Sequence, residues 1–444
     1  MTWIYILLIT EICLFFLAFI VNENDIMAPS VIMCAMFILS TSFAIASIDI
    51  WEMRSFEFNA FVILITGIFS FIVGEALYKL PRLKFVLSLP RNRKYEIDEI
   101  KPISVQSIIL KFFILFDVVM LSWYVIEIKR IVGDRNLSMA IMAGMYRSMT
   151  VHMTVSDNID GINSILSQGL KITQVAGLVT AYIFINNIFS GKAEKKQQVR
   201  LIILTVMSIL PYLFSANRGE ILKVFVAILF FCYVIWNQKY MWKRNISWKF
   251  IRIGIIIIVI GIPAFYFSLK LIGRTTDLGL MEYTAKYVGS SIYMFSLYTE
   301  NPVSKAIAFG EESLIGLNTF LYRLGFNTYV RDVNLEYRSL HSNVYTFFRR
   351  PYHDFGLGGM YVFTIIVAFF FSWLYNGKIK KKRQSENVHI WILIMGYMFY
   401  WIVASSIQQL SFTYISINAL IKIILIIAIF NVMTKIRFKP NTGR

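Results

Sequence analysis

The chain has 444 residues, 57% of them hydrophobic and only 16% charged, with a net charge of +18. Apolar runs of about 20 residues recur along it, long enough to cross a bilayer as helices, and this excludes an ordinary soluble domain. The excess of Lys and Arg lies in short segments between those runs, where it reports orientation and argues against a nucleic-acid partner.

In chain order the expected spans are 3–21, 27–48, 58–78, 105–128, 164–189, 201–216, 221–236, 251–271, 359–375, 389–407 and 411–433, eleven in all. The first run lacks a basic flank and a small-residue cleavage site, so it is read as a permanent span. Cys13, Cys34 and Cys232 lie inside apolar runs without metal-site or disulfide spacing and read as packing residues. Lys79, Arg82, Lys84, Arg91, Arg93, Lys94 and Lys101 follow span three. Lys192, Lys195, Lys196 and Arg200 follow span five, and Lys239, Lys243, Arg244 and Lys249 follow span seven. Lys378, Lys380, Lys381, Lys382 and Arg383 follow span nine, and Lys435, Arg437 and Lys439 form the tail. Every basic cluster follows an odd-numbered span, which puts them all on the cytoplasmic side, with the N-terminus outside and the C-terminus cytoplasmic.

Two long segments then face outward, about 129–163 and about 272–358. The second is roughly neutral and rich in tyrosine, and a loop of that length in a membrane domain is usually functional. Without internal repeats or low-complexity linkers, the expected architecture is one integral membrane domain over residues 1–444. It is an all-α polytopic fold of about eleven transmembrane helices, whose large external loop at 272–358 contains short helices.

The run LIILTVMSILPYLFSANRGEILKVFVAILFFCYVIW has basic loops on both sides, so it crosses twice and turns at SANRGE. Arg218 is thereby expected at the outer membrane face. One reading is a plain turn shaped by Asn217 and Gly219, with Arg218 paired to Glu220. The stronger one is a ligand site, because arginine is costly in so short an apolar hairpin and its planar fork suits phosphate.

Farther on stands HSNVYTFFRRPYHDFGLGG, residues 341–359. Arg338, His341, Tyr345, Arg349 and Tyr352 are spaced by three, four, four and three, one stripe if the segment is helical. Pro351 argues that such a helix ends at about Arg350. A solvated amphipathic face would give the same stripe, His353 could cap a turn, and Asp354 could shape the entry to the next span. His152 and His389 have no polar company. The convergence of basic, aromatic and carboxylate groups at the level of Arg218 favours a ligand-binding site.

The pattern Asn343-x-Tyr345-Thr346, followed by Tyr352-x-Asp354-Phe355-Gly356-x-x-Gly359 opening a span, resembles the Wzy-type oligosaccharide repeat-unit polymerases of bacterial polysaccharide assembly. The S-x-N-R-G element at Ser215, Asn217, Arg218 and Gly219 is similar to that family as well, as are Asn24, Asp25 and Pro29 between spans one and two. The resemblance covers the whole topology through short motifs. It implies a GT-C-like glycosyltransferase of the bacterial cytoplasmic (inner) membrane, using undecaprenyl-diphosphate-linked oligosaccharide as donor and acceptor. Membrane lipid, a polysaccharide chain-length regulator and a flippase are the partners it suggests. No D-x-D motif or dinucleotide fingerprint occurs, in keeping with an enzyme expected to need no nucleotide sugar, cofactor or metal.

On that resemblance Arg218 binds the leaving diphosphate more tightly as charge develops, helped by Arg274, Arg338, Arg349 and Arg350. His341 or Asp354 takes the proton of the acceptor hydroxyl. Asn217, Asn343, Tyr345, Tyr352 and His353 complete the substrate-binding set, with the tyrosines against sugars. An O-antigen ligase, with the same donor and another acceptor, is the nearest alternative. A lipid-linked oligosaccharide flippase is a third, though it often shows related halves and short external loops, which are not seen here.

Overall fold

The computed structural model describes residues 1–87, 100–133, 137–151, 162–242, 263, 266–269, 277–300, 306–326, 342, 344–382 and 384–436. Among the described residues the regular structure is wholly helical. The order is α1 (Thr2–Val21), α2 (Pro29–Ala46), α3 (Phe58–Leu87), α4 (Ser107–Val132), α5 (Met139–Val151), α6 (Ser164–Ser190), α7 (Lys195–Met207), α8 (Leu210–Phe214) and α9 (Arg218–Lys239). Then come α10 (Leu280–Val288), α11 (Ser290–Glu300), α12 (Ile315–Arg323), α13 (Arg349–Ser372), continued by a π-helical turn at Trp373–Ile379, α14 (Glu386–Val403), α15 (Ser411–Tyr414) and α16 (Ile417–Lys435).

Ten of these stretches are long and apolar enough to cross a membrane, α7 with α8 counting as one and α13 with its π-turn as another. Each overlaps one expected span, and the chain is a multi-pass membrane protein. The remaining expected span, 251–271, falls almost wholly outside the described residues.

Local chemistry sets the ends. Pro29 opens α2, where its missing N–H costs no helical bond. The Asn163, Ser385 and Ser416 side chains accept from Ile165, Val388 and Ala419 N–H and start α6, α14 and α16. Gly191, at φ +69°, closes α6.

Two expected spans show more detail than their run lengths. The chain is already helical from Arg349, because Pro351 stands in a first turn, where proline is tolerated. Gly356, at φ +67° and ψ −171°, is non-helical and divides α13 into a short helix before it and the span-length helix after it, close to the expected start at 359. Tyr352 is therefore inside the helix, while Tyr345 lies in the non-helical chain before it, and no continuous helical stripe joins them. The last expected span, 411–433, divides into α15 and α16, with Ser416 extended between them.

Side-chain contacts tie the helix ends into two levels. At the basic end, the α1–α2 turn meets the ends of α3, α9 and α13. Asp25 accepts from Tyr233 (2.7 Å) and Tyr375 (3.0 Å) and pairs with Lys380 at 3.1 Å. Glu75 accepts from the Ser30 N–H at 3.0 Å and from Asn376 at 3.3 Å. Lys239 donates to the Phe189 carbonyl and Asn186 to that of Lys101, which brings α9, α6 and the chain before α4 to the same level. At the opposite end, Ser296 accepts from the Glu57 N–H, Ser291 donates to the Ser406 carbonyl at 2.6 Å, and the Phe347 N–H donates to the Ser405 carbonyl. Through these bonds α10, α11 and the 342–348 segment are laid across the ends of α2, α3 and α14.

The tightest helix pair is α3 with α13. A Cβ on Gly74 would lie 2.7 Å from the Ile365 carbonyl and 2.8 Å from the Ala368 Cβ, so these backbones meet with no room for a side chain.

Candidate functional site

The site begins at the turn before α9. The Leu213 and Tyr212 carbonyls accept from the Ala216 and Asn217 N–H groups, and the left-handed residue of the bend is Ala216, at φ +50°. The bend is thus not shaped by Asn217, whose φ is −100° and whose side chain makes no cap bond. Arg218 opens α9 and is 7% exposed. Its guanidinium donates to the Tyr283 hydroxyl and lies over the Tyr283 and Tyr287 rings at 5.6 and 5.7 Å, a cation–π arrangement. Burial pushes the Tyr283 hydroxyl up to about 12, so the ring offers its partner a neutral O–H. Arg218 is not the partner of Glu220: that carboxylate pairs with Lys223 at 2.5 Å, and the Lys223 ammonium lies 5.9 Å from the Tyr400 and Tyr414 rings.

A second locus forms at the start of α13. Arg349, 6% exposed, is ion-paired with Glu312, and its guanidinium lies 4.9 Å from the Tyr298 centroid and 5.3 Å from that of Tyr345. Arg350 covers the Phe412 ring at 4.4 Å and donates to the Glu312 carbonyl at 3.3 Å. Buried charge of this kind persists only when paired, and here the pairing comes from the 306–326 segment. His353 meets Glu311 at 2.9 Å through Nε2 and the Tyr298 hydroxyl at 3.4 Å through Nδ1. Asp354 accepts the Glu312 and Ser313 backbone N–H groups at 3.2 and 2.6 Å. Tyr352 packs edge-on against Tyr298.

One stretch of chain connects the two loci. α10 gives Tyr283 and Tyr287 to Arg218, and α11, directly after it, gives Tyr298 to Arg349. α15 makes a second link: Phe412 lies under Arg350, Tyr414 faces Lys223, and the Ser411 hydroxyl donates to the Ser313 carbonyl at 2.6 Å.

Of the residues expected from sequence, Tyr345, Arg349, Arg350, Tyr352, His353 and Asp354 come together, and Arg218 with Asn217 stands at the same end of the molecule. Arg274, Arg338, His341 and Asn343 lie outside the described residues. Asn24, Asp25 and Pro29 are at the basic end, where Asp25 belongs to a different polar cluster. The residues that sequence reasoning missed are Glu311, Glu312, Lys223 and three of the tyrosines that hold the arginines, Tyr283, Tyr287 and Tyr298. Adjacent carboxylates between apolar elements were the available signal for the first two. Chemically, two sets of guanidinium groups backed by tyrosine rings can hold phosphate oxygens and present aromatic faces to sugars.

No protein-family model, curated protein or solved structure matches the chain. The geometry carries the functional reading alone.

Proposed function

We propose that this protein is a GT-C-like polysaccharide polymerase that joins undecaprenyl-diphosphate-linked oligosaccharide repeat units at the outer face of a bacterial cytoplasmic membrane. The observation that carries the reading is the burial of Arg218 and Arg349 against tyrosine rings at one end of a polytopic membrane fold. Buried cations at that level are costly even when paired, and they mark functional positions. In the proposed orientation this end faces out, the basic end faces the cytoplasm, and the N-terminus is outside.

In this reading a hydroxyl of a new lipid-linked unit attacks the anomeric carbon of the growing chain. The bond to diphosphate breaks, and Arg218, with Arg349 and Arg350, holds the leaving group as it gains charge. Both oxygens of Asp354 are already engaged by backbone N–H groups, so the proposal gives the role of proton acceptor to His341. Tyr345 and Tyr352 border the sugars, and apolar surfaces between helices take the prenyl tails.

The test is purified protein in nanodiscs with a chemically defined undecaprenyl-diphosphate repeat unit. A ladder of repeat numbers is expected. Arg218→Ala is expected to slow its formation about 100-fold or more, the scale of losing one preorganised charge donor. A single transfer to another acceptor without a ladder would mean a ligase, and a normal ladder from Arg218→Ala would remove the assignment.

A further inference from the structure

We propose that Glu311, Glu312 and His353 form a binding site for a divalent cation of the Zn2+ or Mn2+ class. One ligand atom from each residue lies within 4.8 Å of the other two, and all three side chains are buried. The Glu311 Oε1 and His353 Nε2 atoms are 2.9 Å apart, and the Glu312 Oε1 atom is 3.8 Å from the same nitrogen. Ligands about 2.1 Å from a tetrahedral ion sit about 3.4 Å from one another, so these separations bracket what a cation requires.

The atoms behind the ligands support the same conclusion, because each ligand is anchored through its other atom. The Glu311 Oε2 atom accepts from the Ile307 and Ala308 N–H groups at 2.9 and 3.2 Å. The Glu312 Oε2 atom is held by Arg349. The His353 Nδ1 atom faces the Tyr298 hydroxyl at 3.4 Å. Partners of this kind fix ligand orientation in metal sites. A cation on Nε2 would take the place of the proton donated to Glu311, with the imidazole proton passing to Nδ1 and pointing at Tyr298.

One nitrogen with carboxylate oxygens suits Zn2+ and Mn2+ better than Mg2+, which favours oxygen alone. The missing D-x-D motif does not bear on this, since the ligands come from two separate segments.

The readout is metal binding and does not depend on polymerisation, so its failure is distinct from failure of the functional reading. Chelator-stripped full-length protein in nanodiscs is titrated with Zn2+ and with Mn2+ by calorimetry, and Mn2+ ligation is read by pulsed electron paramagnetic resonance. We expect about one equivalent bound and nitrogen coupling from one imidazole. His353→Gln and Glu311→Gln are each expected to weaken binding more than about tenfold. If either variant does not purify, the wild-type nitrogen coupling still decides. No stoichiometric binding, binding unchanged in a folded His353→Gln protein, or bound Mn2+ without nitrogen coupling would overturn the site.

Discussion

At the scale of single residues, the two glycines after Asp354 serve different ends. Gly356 has φ +67° and ψ −171° inside α13, a combination that side chains resist whatever space surrounds it. A Cβ on Gly358 would meet no atom within 4 Å, and its backbone has no such strain. Gly356→Ala is therefore expected to cost about 1–3 kcal/mol, and Gly358→Ala to be neutral or stabilising, as melting temperatures in detergent would show. Asp354 also has a checkable role. Asp354→Asn turns an acceptor of two N–H bonds into a group with one donor face, at about 1–3 kcal/mol. Faster proteolysis within 306–326 is the expected sign, and an unchanged digestion pattern would deny that Asp354 holds this segment. The positions of the arginines were legible in the sequence because a cation in an apolar run stands out. Their partners were not: Glu311 meets His353 across 42 residues, a distance that no local pattern bridges.

At the scale of elements, span positions were readable from run length, since a bilayer imposes one length on every helix. The start of α13 was not, because Pro351 is compatible with both the end of a helix and its first turn. The Tyr352 N–H, which donates to the Phe348 carbonyl at 2.9 Å, shows that it is the first turn. The seam between α3 and α13 gives a sharper test. Gly74→Leu would force its side chain into the Ile365 backbone, an atom that cannot move aside. It is expected to cost at least about 1–3 kcal/mol and to lower the melting temperature, with Gly74→Ala intermediate. Gly74→Leu melting like wild type would mean that the helices are not in contact there.

At the scale of the whole molecule, the two-level arrangement predicts sidedness. In a cysteine-free background, Lys192→Cys and Arg323→Cys both place exposed thiols, at opposite ends of the fold. A membrane-impermeant maleimide added to intact cells is expected to label Arg323→Cys and to reach Lys192→Cys only after permeabilisation. Labelling of both from one side would refute the arrangement of ends. The count of basic clusters made this arrangement readable from sequence. The folding of α10, α11 and α15 over the far end was not, because these short helices carry no span-length signal.

The Asp25 cluster at the basic end carries a consequence in time. Asp25 is synthesised well ahead of its partners, with Tyr233 and Tyr375 following 208 and 350 residues later. At about 5–20 residues per second, synthesis alone separates Asp25 from Tyr375 by roughly tens of seconds. For that interval the Asp25 carboxylate has only part of its final set, the Met27 N–H and later Tyr233, and its final locking waits on the insertion of α13. The hairpin is thus made early and fastened late, so a ribosome that stalls before Tyr375 leaves unfinished a part of the molecule it completed long before.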